Sequence, residues 1–363
     1  MNAANAASIY DVSCVRDIYN IIKKHYDYAN ASAAGAGFKI TEAPLTVFDG
    51  FRRDLQDTSK DTSKDTSKDT SSKFFNFEFA YKYMLKCSRC YHITYKELNM
   101  YVLLRTKMTP QMRTQLFRNL YRVYLISQIY QISKRGDYIF NYFVIMNPQK
   151  RCLPAKKGQI MDAVNINGGY TYINKNNIYI IRKEDYNKVI IHELLHHNTL
   201  IHKQEWEEQN IKRLKAHFKI HPNMLLIPNE AIIETYACIL NTVFYSIETG
   251  TSLRENLKRD REHSINLTKK ILDRQGDQLW DEKTHSYCYI VFKTILYVYF
   301  NEFLKIYKYH NDTEITDFLI KYSGKTSQKM KQKAKRINAK MKRTNAKMKQ
   351  AKQQDNRLKQ TIY

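Results

Sequence analysis

The chain has 363 residues, of which 43% are hydrophobic and 13% aromatic, so it can build a sizeable core and is not wholly disordered or collagen-like. Six cysteines are too few for a disulfide scaffold, and the first residues do not resemble a secretory signal, so we expect a reducing, cytoplasmic compartment. The net charge of +25 favours polyanionic partners, and no apolar run is long enough to predict a transmembrane segment.

A tandem repeat of the tetrapeptide DTSK lies in the first quarter of the chain. It covers residues 57–73 and contains no wholly apolar side chain, so it predicts a linker. The linker divides a segment of unknown role, residues 1–56, from a larger domain, residues 74–323. In the first segment, the helical spacing of five apolar side chains predicts one amphipathic helix with the residues Ile9, Val12, Val15, Tyr19 and Ile22.

The first half of the larger domain mixes helical and strand patterns. From residue 74 to about 130, apolar side chains recur every three or four positions, which predicts helices. Residues 138–146 form a nearly continuous β-branched and aromatic run, which predicts a buried strand. Short β-rich runs separated by Gly and Asn then predict a small sheet, whose last two strands form a hairpin: 160–166, 170–173 and 178–182.

Helices are predicted for most of the remaining domain. One begins after Asp185, a candidate N-cap, and runs to about residue 198. A charged helix covers about 204–218, a proline-flanked loop follows, and a further helix begins at Asn229. Residues 254–322 are largely helical in pattern.

The helix after Asp185 contains the pattern H-E-L-L-H. Its spacing places His192 and His196 on one helical face, one turn apart, where both can bind one metal ion. Glu193 lies toward the neighbouring edge of the helix, from which a carboxylate can polarise a water on that metal. On the next helix, Glu230 and Glu234 share one face, and spacing alone would allow either to be a third ligand.

An H-E-x-x-H motif followed on a later helix by N-E-x-x-x-[DE] resembles the thermolysin-like gluzincins, a family of zinc metallopeptidases. The resemblance covers about residues 160–240. It implies that His192, His196 and Glu230 bind one Zn²⁺ ion, that Glu193 is the general base and then acid, and that Glu234 orients His192.

The resemblance also implies a fold and an activity. The fold would be α+β, predominantly helical and zincin-like, with the small sheet and the H-E-x-x-H helix in one lobe. The Glu230 helix would belong to a second, helical lobe, with the metal in the cleft between them. The implied activity is that of a hydrolase, cleaving peptide bonds of a peptide or protein substrate with a metal-activated water.

Two further features of the family concern the oxyanion and the substrate backbone, and no motif identifies the residue that serves the first. Its members use a His or Tyr to stabilise the oxyanion, and five residues remain open for that role: His217, His221, Tyr236, His285 and Tyr287. The family also pairs substrate backbone with an edge strand, a place that residues 163–172 occupy here. The interval between the two motifs is longer than in thermolysin, which implies an inserted segment.

The composition of residues 324–363 indicates a basic tail that is either helical or disordered. They carry eleven Lys and three Arg against one Asp, a net charge of +13, with a weak apolar stripe at alternating four- and three-residue spacing. Three interpretations remain open: a solvated tail without a specific partner, a nucleic-acid contact, and a contact with an anionic membrane or partner helix. We expect the tail to bury little, so that its removal leaves the fold and the metal content intact.

Two alternatives to a peptidase follow from the same residues. The histidines and glutamates of the two motifs could be ordinary residues of a partly buried helix and a solvated face. Alternatively, the zincin fold is catalytically idle and belongs to a basic nucleic-acid-associated or structural protein. The frequent use of Lys, Asn, Ile and Tyr resembles that of proteins encoded by AT-rich genomes, such as those of large DNA viruses. If the protein is viral and structural, we expect it in the virion.

Overall fold

The structure is a computed structural model in which ten parts of the chain are described: 13–27, 31, 37–53, 77–130, 140–156, 158–172, 176–197, 206–307, 311–326 and 360–362. The DTSK linker and residues 327–359 of the basic tail lie outside these ranges, as do Ile9 and Val12 of the first predicted helix.

Helices make up most of the described residues. The α-helices are α1 (Ser13–His25), α2 (Glu78–Met84), α3 (Pro110–Ile129), α4 (Ala163–Ile166), α5 (Tyr186–Leu195), α6 (Glu208–Phe218), α7 (Asn229–Thr249), α8 (Leu253–Gln275), α9 (Lys293–Val298) and α10 (Phe300–Tyr307). A 3₁₀ turn covers Leu45–Phe48, a π-helix covers Cys288–Phe292, and helical backbone also covers 312–326.

Six described strands form one mixed sheet. They are β1 (Phe38–Glu42), β2 (Arg89–Tyr95), β3 (Leu98–Leu104), β4 (Asn141–Ile145), β5 (Gly169–Thr171) and β6 (Asn177–Ile180). Their order is β1-β2-β3-β4-β6-β5, in which β4 is parallel to both neighbours and the other pairs are antiparallel. The fold is therefore α+β, with a sheet larger than the small one predicted.

The prediction of helices throughout 74–130 is wrong for its middle part. Two antiparallel strands, β2 and β3, lie between α2 and α3, and Lys96 in the turn between them has a left-handed φ of 52°. Most of β3 is buried, so its apolar residues do not alternate cleanly with polar ones. Apolar runs of this kind cannot be told from a buried helix by periodicity alone.

The predicted strand at 160–166 is also wrong. Its second half forms the short helix α4, because the Asp162 side chain accepts a hydrogen bond from the backbone of Ala163 and the Asn165 side chain accepts one from the backbone of Asp162. Several other predictions are confirmed: the strand at 138–146 contains β4, the last two strands form the β5–β6 hairpin, and the motif helices are α5 and α7. Helix α5 ends at Leu195, before the predicted residue 198, and the charged helix α6 begins at Glu208.

One hydrophobic cluster runs from the sheet through α5 to α7, α8 and the π-helix. Helix α5 lies at its centre, in contact with α3, α7, β5 and β6. Residues before the linker belong to the same structure, because β1 pairs with β2 and α1 packs on α7. A smaller aromatic-rich cluster covers the opposite face of the sheet. Within the described ranges, we find no helix with the length and apolar character that crossing a bilayer requires.

Candidate metal centre

Helix α5 carries the H-E-x-x-H motif through the middle of the core. It begins after Asp185, as the sequence predicts, but Asp185 has a left-handed φ of 58° and its side chain caps no helical N–H. Its carboxylate instead accepts a hydrogen bond from Arg151 at 3.0 Å. Apolar residues surround the motif, so His192 and Glu193 are each only 5% exposed.

Helix α7 brings the second motif against α5. Its first turn contains Glu230, and Glu234 follows one turn later on the same face. Oε2 of Glu230 lies 3.4 Å from Nε2 of His192 and 3.6 Å from Nε2 of His196, and the two Nε2 atoms are 3.3 Å apart. The structure thus brings together the three residues that the resemblance assigns as ligands.

The spacing of these three atoms fits a tetrahedral metal ion. Ligand atoms at about 2.0–2.1 Å from a tetrahedral zinc lie about 3.3–3.4 Å from one another, close to the distances found here. Oε2 of Glu230 is buried, and no described side chain donates to it with good hydrogen-bond geometry, although Nε2 of His192 lies 3.4 Å away. Such an oxygen is costly to bury unless a cation offsets its charge, so two nitrogens and one carboxylate oxygen form a donor set suited to zinc.

The charges of the cluster shift the pKa values of its members. Burial alone would lower the pKa of His192, but the adjacent carboxylates of Glu230 and Glu234 outweigh burial and raise that pKa to about 9. Burial would raise the pKa of Glu230, but the imidazoles of His196 and His192 lower it to about 2. In the metal-free cluster, His192 is therefore protonated at neutral pH, and its positive charge partly neutralises the carboxylates. A bound metal ion would supply that positive charge instead.

Glu234 lies behind His192 rather than beside the three ligand atoms. Its Oε2 is 2.8 Å from Nδ1 of His192, and its Oε1 is 2.5 Å from Nζ of Lys188. Burial would raise the pKa of Glu234, but Lys188 and His192 lower it to about 2, so the carboxylate stays ionised. This arrangement favours Glu230 as ligand and Glu234 as the residue that fixes the imidazole of His192.

Lys188 is a residue of the site that the sequence motifs do not predict. It stands four positions before His192 on the same face of α5 and is only 2% exposed. A lysine directly before the apolar run 189–191 and one turn before His192 is the signal that could have identified it, since buried lysines are almost always paired.

Glu193 faces the edge strand β5 across a small cavity. A Cβ atom added to Gly169 would lie 3.1 Å from Oε1 of Glu193 and 2.6 Å from the carbonyl oxygen of Tyr179. The backbone of β5 therefore approaches Glu193 closely at this glycine. Burial raises the pKa of Glu193 to about 8, with the charges of Glu230 and Glu234 adding to the effect and those of His192 and Lys188 opposing it. A carboxyl group with a pKa near neutrality can both accept and return a proton at physiological pH.

The π-helix adds an aromatic side chain to the same cavity. The ring of Tyr289 lies 5.6 Å from that of His192, and Glu193 and Glu234 also line the cavity. Burial, reinforced by the charges of Glu230 and Glu193, raises the pKa of Tyr289 well above its ordinary value, so its hydroxyl keeps its proton.

Of the five oxyanion candidates from the sequence, only His285 is close to the cluster. Burial lowers the pKa of His285, and the charge of Glu230 acts in the opposite direction. The rings of Tyr287 and Tyr236 pack in the core away from the site, and the His217 side chain bonds to Ser323. His221 bonds to the backbone of its own loop, at Asn223.

Comparison with known proteins identifies no relative of this chain. No family model, no curated protein and no solved structure matches the chain. The function must therefore be argued from the chemistry of the cluster on α5 and α7.

Proposed function

We propose that the protein is a zinc-dependent peptidase with a zincin-like site. The observation that carries the proposal is the cluster of three ligand atoms, His192 Nε2, His196 Nε2 and Glu230 Oε2, all within 3.6 Å of one another. Such a site holds one Zn²⁺ ion per chain, and its three protein ligands leave a coordination position for a water or a substrate oxygen.

Each neighbouring side chain has a distinct task in hydrolysis. Bound zinc supplies a Lewis acid that polarises a carbonyl and makes water acidic at neutral pH. Glu193 accepts a proton from the attacking water and later returns it to the leaving amine. Glu234 holds the imidazole of His192 through Nδ1, so that Nε2 keeps its direction.

A phenol or imidazole close to the metal centre can stabilise the oxyanion. Tyr289 remains a neutral donor because its pKa is raised, and it lines the cavity next to His192 and Glu193. We assign the oxyanion contact to Tyr289, with His285 as the neighbouring side chain that contacts its ring at 6.2 Å.

The sheet offers a surface for the backbone of an extended peptide. Strand β5 is the last strand in the sheet order, so one of its edges has no partner among the described strands. Backbone groups on such an edge can pair with a substrate in extended conformation, next to the carboxylate of Glu193. This placement favours a peptide substrate over a small molecule.

Metal analysis combined with three glutamate variants tests the proposal. Glu193→Gln removes the proton acceptor but no ligand atom, so it should keep about one zinc per chain and lose hydrolysis. Glu230→Ala should lose zinc and hydrolysis together, and Glu234→Ala should weaken zinc binding about 10–100-fold. Glu208→Gln, an exposed glutamate on α6, serves as the control and should change neither quantity.

The results separate several outcomes. Equal zinc binding after His192→Ala and His196→Ala would refute the metal centre. Zinc that stays in Glu230→Ala but leaves in Glu234→Ala would exchange the roles of the two glutamates and keep the class of enzyme. Zinc binding by the natural chain without hydrolysis of any peptide, together with salt-dependent DNA binding, would support a catalytically idle protein instead.

A further inference from the structure

Residues Gln360 and Thr361 lie buried against the rear of the candidate metal centre, and Ile362 follows them at the surface. Gln360 is 4% exposed and Thr361 is fully buried, although the sequence predicts a tail that buries little. Gln360 also lines the cavity that contains Glu193, Glu234 and Tyr289. These residues are therefore part of the folded body, and the expectation that the tail buries little is wrong for Gln360 and Thr361.

A chain of polar contacts leads from Gln360 to the metal ligand His192. Oε1 of Gln360 accepts a hydrogen bond from Nζ of Lys188 at 2.5 Å. The same ammonium group lies 2.5 Å from Glu234, whose other carboxylate oxygen is 2.8 Å from His192. Three consecutive contacts thus connect the carboxamide of Gln360 to the imidazole that faces the site.

Backbone N–H groups at both ends of the segment donate hydrogen bonds to the folded body, that of Ile362 to Asp260 at 3.3 Å. The Gln360 N–H donates to Asp185 at 2.7 Å, and Asp185 is itself held by Arg151. Thr361 donates through its hydroxyl to Asp260 on α8 at 2.9 Å. The segment therefore bridges the start of α5 and the middle of α8, and this anchoring sets the direction of the Gln360 carboxamide.

We propose that residues 360–362 form a latch for the metal centre, with Gln360 as a positioning residue for Lys188, Glu234 and His192. A buried ammonium group keeps a fixed place only when its donors are satisfied, because an unpaired charged donor is costly in the protein interior. Without the carboxamide, Lys188 loses one of two close oxygen partners and Glu234 loses a fixed counter-charge. The imidazole of His192 is then less firmly oriented, and zinc binds more weakly.

The inference rests on the proposed metal centre and assigns it a residue that sets its affinity. The test compares Gln360→Met, which keeps the size but removes the acceptor, with Gln360→Glu, which keeps an acceptor oxygen for Lys188. Ile362→Ala is the control within the same segment, because the Ile362 side chain is 37% exposed. Zinc affinity is measured by competition with a chromogenic chelator, and folding of each zinc-free variant is checked by circular dichroism.

Gln360→Met should weaken zinc binding roughly 3- to 10-fold, less than the 10–100-fold typical of a residue that contacts a ligand directly. The zinc affinities of Gln360→Glu and Ile362→Ala should stay within about twofold of that of the natural chain. Gln360→Glu keeps an acceptor oxygen for Lys188, and Ile362→Ala leaves the contact untouched. In a Lys188→Met background, Gln360→Met should have no further effect, because the contact that transmits it is already gone. If Gln360→Met fails to fold, the shorter Gln360→Asn, which cannot reach Lys188, supplies the same comparison.

Unchanged zinc affinity in folded Gln360→Met would overturn the latch and leave the metal centre standing. Equal losses in Gln360→Met and Gln360→Glu would also overturn it, because the acceptor oxygen would then be irrelevant. Absence of zinc binding in the natural chain would refute both the metal centre and the latch. Zinc binding with the expected order of variants, but without peptide hydrolysis, would refute the peptidase and support the latch.

Discussion

Glu193→Gln should stabilise the zinc-free protein at neutral pH, although the same variant is expected to abolish hydrolysis. Glu193 is buried beside two further carboxylates, Glu230 and Glu234, and burial raises its pKa to about 8. The folded, zinc-free chain therefore keeps a proton on Glu193 at pH values at which the unfolded chain has lost it. Glutamine resembles the protonated acid in shape and does not titrate.

The magnitude follows from the separation of the two pKa values. The folded state holds the extra proton between the ordinary pKa of 4.5 and the folded value of about 8, so stability falls as pH rises through that window. At pH 7 the group is about 2.5 units above its unfolded pKa, which corresponds to roughly 3 kcal/mol as an upper limit. Glu193→Gln should recover most of this amount.

Urea unfolding in the presence of a chelator measures the effect. The difference in unfolding free energy between Glu193→Gln and the natural chain should be small near pH 4.5 and should grow steadily toward pH 8. The exposed Glu208→Gln serves as the control and should show no growing difference in this window. A Glu193→Gln difference that stays constant with pH would show that Glu193 titrates normally and would refute the assignment of its environment.

Three further expectations follow from the same site. Because His192 has a pKa of about 9 and Glu193 a pKa of about 8 in the metal-free cluster, zinc must displace one proton between these values and two protons below them. Its affinity, measured by chelator competition, should therefore fall about tenfold per pH unit just below 9 and more steeply below 8. Gly169→Ala should lower the unfolding free energy by about 1–3 kcal/mol because a methyl group would clash with the β6 backbone, whereas Gly50→Ala, with open space around it, should not. Tyr289→Phe should lower kcat by about 10²–10³-fold and leave zinc affinity unchanged, whereas an unchanged kcat would exclude Tyr289 as the oxyanion donor.

The sequence predicts the central part of the site because its determinants are local. The two motif histidines lie one turn apart, as do Glu230 and Glu234 on α7. The apolar periodicity of α5 and α7 identifies both helices. The roles of Glu230 and Glu234 could not be separated by spacing alone, since both face the same way. Only the packing of α7 on α5 places Glu230 beside both Nε2 atoms and Glu234 beside Nδ1 of His192.

The residues that sequence analysis missed depend on long-range packing or on irregular backbone. Lys188 and Gln360 are 172 positions apart and meet only in the folded chain. Tyr289 lies in a π-helix, whose wider turn changes the set of side chains that share one face. The helical and strand periodicities of a sequence do not predict such a turn. The β2–β3 hairpin was missed for a related reason, because burial on both faces of a strand removes the alternation that identifies it.

The charge balance of the site connects its stability to its chemistry. Two buried carboxylates, those of Glu193 and Glu234, lie beside the carboxylate of Glu230, whose side chain is 13% exposed, and the Lys188 side chain pairs with Glu234. Without metal, protons on His192 and Glu193 reduce the remaining negative charge, as their raised pKa values indicate. A divalent ion would take over that task and release both protons, leaving Glu193 ionised and able to act as a base. The burial that destabilises the metal-free fold is thus the same property that, in the proposed enzyme, would make Glu193 a proton acceptor only when the metal is present.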